Sequence, residues 1–247
     1  MATQSLALFA DGKKFFVRDP SSDFHCQFGF VKAAELIKAK AGGIVKTNMG
    51  KELRVVPAGF VDYYGKIKRS AQIIPIKDVG SIITETGINS SSKVVDAGAG
   101  SGSLAILMAN IVKEVVTYEI RNDFIKIVKK NISDFGIKNL KIKKKDISLG
   151  ITEKNVDLIT LDIPDPWKAL PNAAKALKPG GFIVSYSPTL PQVSDFAEAV
   201  DKNKSLARIK TIEIIEREWD VEGRKLRPKS QPIGHSGFLT FVRKIGR

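Results

Sequence analysis

The strongest constraint on this chain is the stretch Val94-Val95-Asp96-Ala97-Gly98-Ala99-Gly100-Ser101-Gly102-Ser103-Leu104. A β-branched run ends in an acidic residue, three glycines alternate with small residues, and an apolar segment continues to Ile111. That order predicts a strand, a tight turn and a helix. Glycine has no Cβ, so the backbone N–H groups of such a turn can approach a ligand closely. The turn departs from the dinucleotide fingerprint G-x-G-x-x-G, because Ser103 stands at the third glycine position. Asp96 precedes the first glycine by two residues. A carboxylate there disfavours a pyrophosphate and suits a ligand that carries positive charge, which argues against a nicotinamide dehydrogenase. The alternative is a βα turn that binds nothing.

The residues after the turn extend the pattern. Val115-Val116-Thr117-Tyr118 reads as a second strand ending at Glu119, at the spacing from the turn where an acidic residue meets a ribose diol. Residues 123–135 have helical spacing, with Phe124, Ile127, Val128 and Ile132 on one side. A third strand is expected over residues 140–147, including Asp146, and a fourth over 156–162, ending at Asp162. Pro164 and Pro166 then stiffen the loop, with Asp165 expected to cap the helix that follows. A helix over 169–177, a turn at Lys178-Pro179-Gly180-Gly181, a fifth strand over 182–186 and a helix over 193–200 come next. A long strand over 209–218 should pair antiparallel with residues 237–242. The polar, basic connection between them, 219–235, shows no secondary-structure pattern.

Strands alternating with helices predict an α/β fold, a Rossmann-like seven-stranded sheet. Asp96, Glu119, Asp146 and Asp162 close successive strands. The carboxyl ends of strands line the ligand crevice of such a sheet, so the four carboxylates are expected to converge. Upstream, Asp78 is expected to cap a helix over 79–86 that Gly87 closes. Residues 1–68 read as a small N-terminal β domain, with short runs at 15–17 and 28–31, a hairpin through Asn48-Met49-Gly50 and a turn or two of helix over 33–41. Residues 69–247 form the Rossmann-like domain.

The formal net charge of +14 over 247 residues points to a polyanionic partner, most simply nucleic acid, against the blander reading of a solvated lysine-rich surface. Cys26 is the only cysteine and the histidines number two, so neither a disulfide nor a metal site is expected. Only the short run 6–10 is apolar near the start, which argues against a secretory leader. No stretch approaches a membrane span, and a soluble, cytoplasmic protein is expected.

Several motifs together resemble the class I S-adenosylmethionine-dependent methyltransferases: the Asp96-to-Gly102 turn, Glu119, the loop Leu161-Asp162-Ile163-Pro164-Asp165-Pro166-Trp167, and Leu177-Lys178-Pro179-Gly180-Gly181. More narrowly, the chain is similar to the archaeal tRNA (adenine-N1) methyltransferases that modify the T-loop at position 58 and, in some members, 57. The further matches are Lys68-Arg69-Ser70-Ala71-Gln72-Ile73-Ile74 with Lys77-Asp78, then Tyr118 through Phe124, Tyr186-Ser187-Pro188-Thr189 with Gln192-Val193, Arg227-Pro228, and Gly234-His235-Ser236-Gly237-Phe238-Leu239. One departure is Pro75, where the family has a tyrosine, so the contact that tyrosine makes is absent here.

The resemblance implies S-adenosylmethionine as cofactor. Asp96, Gly98, Gly100, Ser101, Gly102, Ser103 and Leu104 would surround its methionine end. Glu119 would take the ribose, with Phe124 beside it. Asp146 and Ile147 would meet the adenine, and Asp162 would face both cofactor and target base as the catalytic residue. It also implies tRNA as partner, contacted by Arg224, Lys225, Lys229 and His235 and by basic residues of the small domain, and a homotetramer. The rival readings are a methyltransferase of this fold acting on another RNA or a small molecule, and a non-catalytic RNA-binding subunit.

Overall fold

The structure is a computed structural model and describes residues 4–68, 72–230 and 234–246. Arg69, Ser70 and Ala71 of the motif beginning at Lys68 lie outside the described residues. The chain divides into two units, Met1–Ile67 and Lys68–Arg247.

The first unit holds β1 (Leu6–Ala10), β2 (Lys13–Val17), β3 (Phe24–Cys26), β4 (Gly29–Val31), α1 (Ala33–Lys38), β5 (Ile44–Lys46), β6 (Glu52–Pro57) and α2 (Phe60–Tyr64). Four strands form an antiparallel sheet in the order β2-β1-β6-β5, and β3 pairs with β4. The expected hairpin is β5-β6, with Ile44 opposite Arg54. Leu8, Leu36, Leu53 and Val55 fill the core. The run 6–10 is thus one of the two inner strands of this sheet, although five residues are too few for period-2 alternation to stand out against the background.

The second unit contains α3 (Ile76–Thr86), β7 (Lys93–Ala97), α4 (Ser103–Ala109), β8 (Glu114–Glu119), α5 (Asn122–Phe135), β9 (Leu140–Lys144), β10 (Val156–Leu161), α6 (Leu170–Ala176), β11 (Leu177–Ser187), α7 (Leu190–Asp201), β12 (Leu206–Glu213), β13 (Trp219–Glu222), β14 (Lys225–Pro228) and β15 (Phe238–Lys244). Seven strands form one sheet in the order β12-β15-β11-β10-β7-β8-β9. Strands β11, β10, β7, β8 and β9 are parallel, and β15 runs antiparallel between β11 and β12. Val95, Val116, Ile159, Ile183 and Val242 carry the buried core across it. The central strands are apolar on both faces because helices cover both. The order reverses at β7: the chain goes from β7 to β8 and β9 on one side and to β10 and β11 on the other. That switch point opens a crevice at the carboxyl ends of β7 and β10.

Local chemistry corrects several expectations. Helix α3 starts at Ile76 with Pro75 at its N-cap, so Asp78 sits inside the first turn. Asp78 is fully buried and holds Lys77 Nζ at 2.8 Å and the Ser236 hydroxyl at 2.9 Å instead of capping. Strand β9 ends at Lys144. Asp146 caps a 3-10 turn, Ile147–Leu149, accepting the Ser148 N–H at 2.8 Å. Asp165 precedes the 3-10 turn Pro166–Ala169 but accepts no capping bond; its carboxylate pairs with Lys168 at 2.7 Å. Residues 178–181 continue strand β11, with Gly180 at φ +81° and a register shift against β10. Strand β12 ends at Glu213, short of the expected 218. The connection expected to lack structure contains the β13-β14 hairpin, turned by Gly223 at φ +55° and Arg224.

Candidate active site

Ala97 ends β7 and Asp162 directly follows the adjacent parallel strand β10, and the Asp162 N–H donates to the Ala97 carbonyl at 2.9 Å. This brings the β10 backbone against Gly98. An added Cβ at Gly98 would stand 2.8 Å from the Asp162 carbonyl carbon, and φ there is +85°. The next glycines turn the chain with φ of +53° at Gly100 and +78° at Gly102, after which α4 begins. Both the close approach and the left-handed backbone require glycine at 98.

A cavity of about 430 Å³ opens over this turn. Gly98, Gly100, Ser101, Ser103 and Leu104 form one wall; Glu119 and Phe124 form another. Asp162 lines it, and Gln72, Ile73 and Ile74 close it. A neighbouring cavity of about 240 Å³ shares Gly98, Glu119, Ile163 and Pro164 with the first and adds Asp146, Ile147 and Lys168. The two form one cleft along the ends of β10, β7 and β8.

Glu119 stands where they meet. It is buried, and its Oε1 accepts the N–H groups of Ile120 at 2.8 Å and Arg121 at 2.9 Å; Oε2 accepts Gly100 N–H at 3.1 Å. A carboxylate offers about four acceptor sites, so capacity on Oε2 remains. The Arg121 guanidinium lies 3.9 Å from the centre of the Phe124 ring.

Asp162 is different. Among the described residues its carboxylate receives no hydrogen bond. Burial, and secondarily the nearby Asp96 carboxylate, push its pKa up to about 7. Ser101 provides a second unpaired group: its Oγ is buried with no partner among the described residues. An orphaned hydroxyl in a cavity wall, a carboxylate with open acceptor capacity and an unpaired carboxylate at the switch point fit a polar, partly cationic ligand.

Asp96 does not belong to this lining. Each of its oxygens accepts a hydroxyl, of Thr117 at 2.6 Å and of Thr160 at 2.8 Å, and the side chain is buried outside the lining of either cavity. Desolvation raises its pKa. The carboxylate supports strand ends, and the convergence of four carboxylates reduces to Glu119, Asp146 and Asp162. Gly102 also lies behind the wall, packed on Val128.

Three of the four expected RNA contacts are engaged with protein. Lys225 pairs with Asp220 at 3.6 Å and Lys229 with Glu218, while Arg224 stands exposed at the hairpin turn. His235 donates from Nδ1 to Glu213 at 2.5 Å and from Nε2 to the Pro188 carbonyl at 2.9 Å. Two donors require the imidazolium, and the Glu213 bond, followed by the Pro188 carbonyl, raises the His235 pKa. His235 therefore tethers the 234–237 segment. The sequence reading gave no role to Arg121, to residues 72–74 or to Lys168; Arg121 and residues 72–74 lie in motifs that carry the family resemblance, whereas Lys168 had no signal. Among the described residues no His/Cys/Asp/Glu group has the arrangement of a metal site, and no helix is long and apolar enough to cross a membrane.

A seven-stranded sheet with this strand order, a glycine turn after its central strand and an acidic residue closing the next define a class I methyltransferase, which takes S-adenosylmethionine as cofactor. The family described as "tRNA methyltransferase complex GCD14 subunit" matches residues 65–230, and the chain belongs to it. A relative from Methanocaldococcus jannaschii, named tRNA (adenine(57)-N(1)/adenine(58)-N(1))-methyltransferase TrmI, is 33% identical, covering 94% of this chain and 92% of its own. Among solved structures, a SAM-dependent O-methyltransferase from Thermotoga maritima superposes with a TM-score of 0.89 at 28% identity, covering 100% of this chain and 95% of that one. The tRNA (m1A58) methyltransferase TrmI from Aquifex aeolicus gives 0.82 at 25%, covering 99% and 98%.

Proposed function

We propose that this chain transfers a methyl group from S-adenosylmethionine to N1 of adenine 58 in the T-loop of tRNA, with adenine 57 as a second target. The observation that carries the reading is Asp162, an acceptor without a donor at the end of β10, in the wall of the cavity that the glycine turn and Glu119 also line.

Bound S-adenosylmethionine supplies an electrophilic methyl group. Glu119 offers its open Oε2 site to a ribose hydroxyl while its other bonds hold the turn. Gly98, Gly100, Ser101, Ser103 and Leu104 face the methionine end, where the Ser101 hydroxyl gains a partner. Asp146 and Ile147 border the smaller cavity, which suits the adenine ring. Adenine N1 would attack the methyl carbon with an in-plane lone pair as the methyl–sulfur bond breaks and its electron pair returns to sulfur, leaving a neutral thioether, so no base is needed to remove a proton beforehand. Ionised Asp162 accepts from the exocyclic amine of the target and stabilises the positive charge that develops on its ring. The remaining rate gain comes from holding the two partners in line. The target must leave its stack to reach this wall.

The β13-β14 hairpin supports self-association. Trp219, Val221 and Leu226 share one face and are exposed, whereas Asp220, Glu222, Lys225 and Arg227 share the other. We assign that apolar face to contacts within a homotetramer and locate the enzyme in the cytoplasm with its substrate. The test is methylation of an unmodified tRNA transcript with a labelled methyl donor, mapped by primer extension. Label on adenine 58 is the expected result; label absent from tRNA but present on small molecules would overturn the reading.

A further inference from the structure

Helix α5 supports the glycine turn from behind at two points. Val128 fills the space beside Gly102, where an added Cβ would stand 3.1 Å from it. One turn along, Asn131 is 1% exposed and uses its whole amide. Its Nδ2 donates to the Ser101 carbonyl at 2.8 Å and to the Lys68 carbonyl at 3.1 Å, and its Oδ1 accepts the Lys68 N–H at 3.3 Å.

The geometry points to Asn131 as a positioning residue for the cofactor. Ser101 belongs to the turn that forms one wall of the larger cavity. Lys68 stands four residues before Gln72, which with Ile73 and Ile74 closes that cavity. A single buried amide therefore holds the turn, through Ser101, and the residue four positions before the 72–74 wall, through Lys68, partners 30 and 63 residues from it in the chain. Local preference does not explain the residue, since asparagine is a middling helix former whose side chain competes with the backbone. Chemistry explains it. Two carbonyls and one N–H must be met together, and among uncharged side chains of this size only a primary amide offers two donors and an acceptor. The nearly isosteric Asn131→Asp change replaces both donors with acceptor oxygens facing carbonyls. The turn at Ser101 and the backbone at Lys68 then lose their common anchor, while Glu119 keeps its own contacts. Cofactor affinity depends on both walls at once; the transfer step does not.

The inference rests on the S-adenosylmethionine cavity described above, and the experiment separates the two. Calorimetry on Asn131→Asp should show cofactor Kd raised tenfold or more, with single-turnover tRNA methylation at saturating cofactor within threefold of the parent. In the parent, hydrogen exchange should slow on adding S-adenosylmethionine at the Lys68 amide as well as at residues 98–104. A folded variant with a lowered melting temperature and parental Kd would make Asn131 merely structural and overturn the inference. So would cofactor protection of the turn in the parent with no change at Lys68, a measurement that decides the matter even if the variant fails to fold. A parent that binds no S-adenosylmethionine would instead overturn the cavity assignment.

Discussion

The backbone of Asp162 lies against Gly98 so closely that no side chain fits between them: an added Cβ would stand 2.8 Å from the Asp162 carbonyl carbon and nearer still to its oxygen. The contact joins the turn expected to hold the cofactor to the residue expected to act on the target base. Gly98→Ala meets both this collision and the φ of +85°. The expected outcome is destabilisation of about 3 kcal/mol or more, with cofactor binding lost in calorimetry. A variant that bound cofactor at parental strength would show the turn to be more plastic than this packing allows.

Glu119 couples the cofactor to the turn through the Gly100 N–H. Glu119→Gln keeps the size and the acceptor facing Ile120 and Arg121 but turns an amide donor toward the Gly100 N–H. Hydrogen bonds to charged groups contribute about 1.5–3 kcal/mol, so cofactor Kd should rise about 10- to 100-fold. Unchanged titrations would remove Glu119 from the cofactor site.

The sheet and the turn were legible in the sequence because they rest on local patterns: apolar strands of ordinary length, helices with a single apolar face, and glycines where the chain must turn. The misreadings needed register or distance. Asp96 looked like a ligand group because it ends a strand, yet it stands abreast of Thr117 on β8 and Thr160 on β10. Those hydroxyls come from 21 and 64 residues away and hold it beneath the crevice, outside the cavity lining. Asn131 was invisible for the same reason, all its partners being distant backbone groups. The β13-β14 hairpin did carry a signal, Gly223 between two alternating four-residue strands, but its charged face masked the period.

Binding of tRNA should fall steeply with salt, since phosphate contacts release counterions. Arg224 has no ion-pair partner among the described residues, whereas Lys225 and Lys229 are paired within the hairpin region. Arg224→Glu is therefore expected to weaken tRNA binding more than Lys229→Glu and to reduce the slope of log K against log salt by about 1, with cofactor Kd unchanged. Filter binding across a salt series checks this; a flat dependence would point to an uncharged substrate.

Asp162 yields a prediction with a definite sign in pH. Burial, and then the Asp96 carboxylate, raise its pKa from the ordinary 3.8 to about 7. A protonated carboxyl can still accept from the target's amine through its carbonyl oxygen, but only the ionised form supplies the negative charge that stabilises the cationic product. Single-turnover methylation should therefore rise with pH to a plateau, with a midpoint at or below about 7, since a cationic cofactor beside the carboxylate favours ionisation. Asp162→Asn should abolish that dependence and lose on the order of 10²-fold or more in rate, the scale of removing a transition-state electrostatic contact. Stability runs the other way. A carboxyl whose pKa is raised on folding favours the folded state below its unfolded value, and that contribution is lost as pH climbs through the folded value. The full swing from 3.8 to about 7 is on the order of 4 kcal/mol. Cofactor-free Asp162→Asn should thus be more stable than the parent at pH 8, with the difference vanishing near pH 4 in denaturant titrations. Parental methylation rates in Asp162→Asn would remove the residue from catalysis, and equal stability at pH 8 would mean that the parent carboxylate sits in a better-solvated site than this geometry provides.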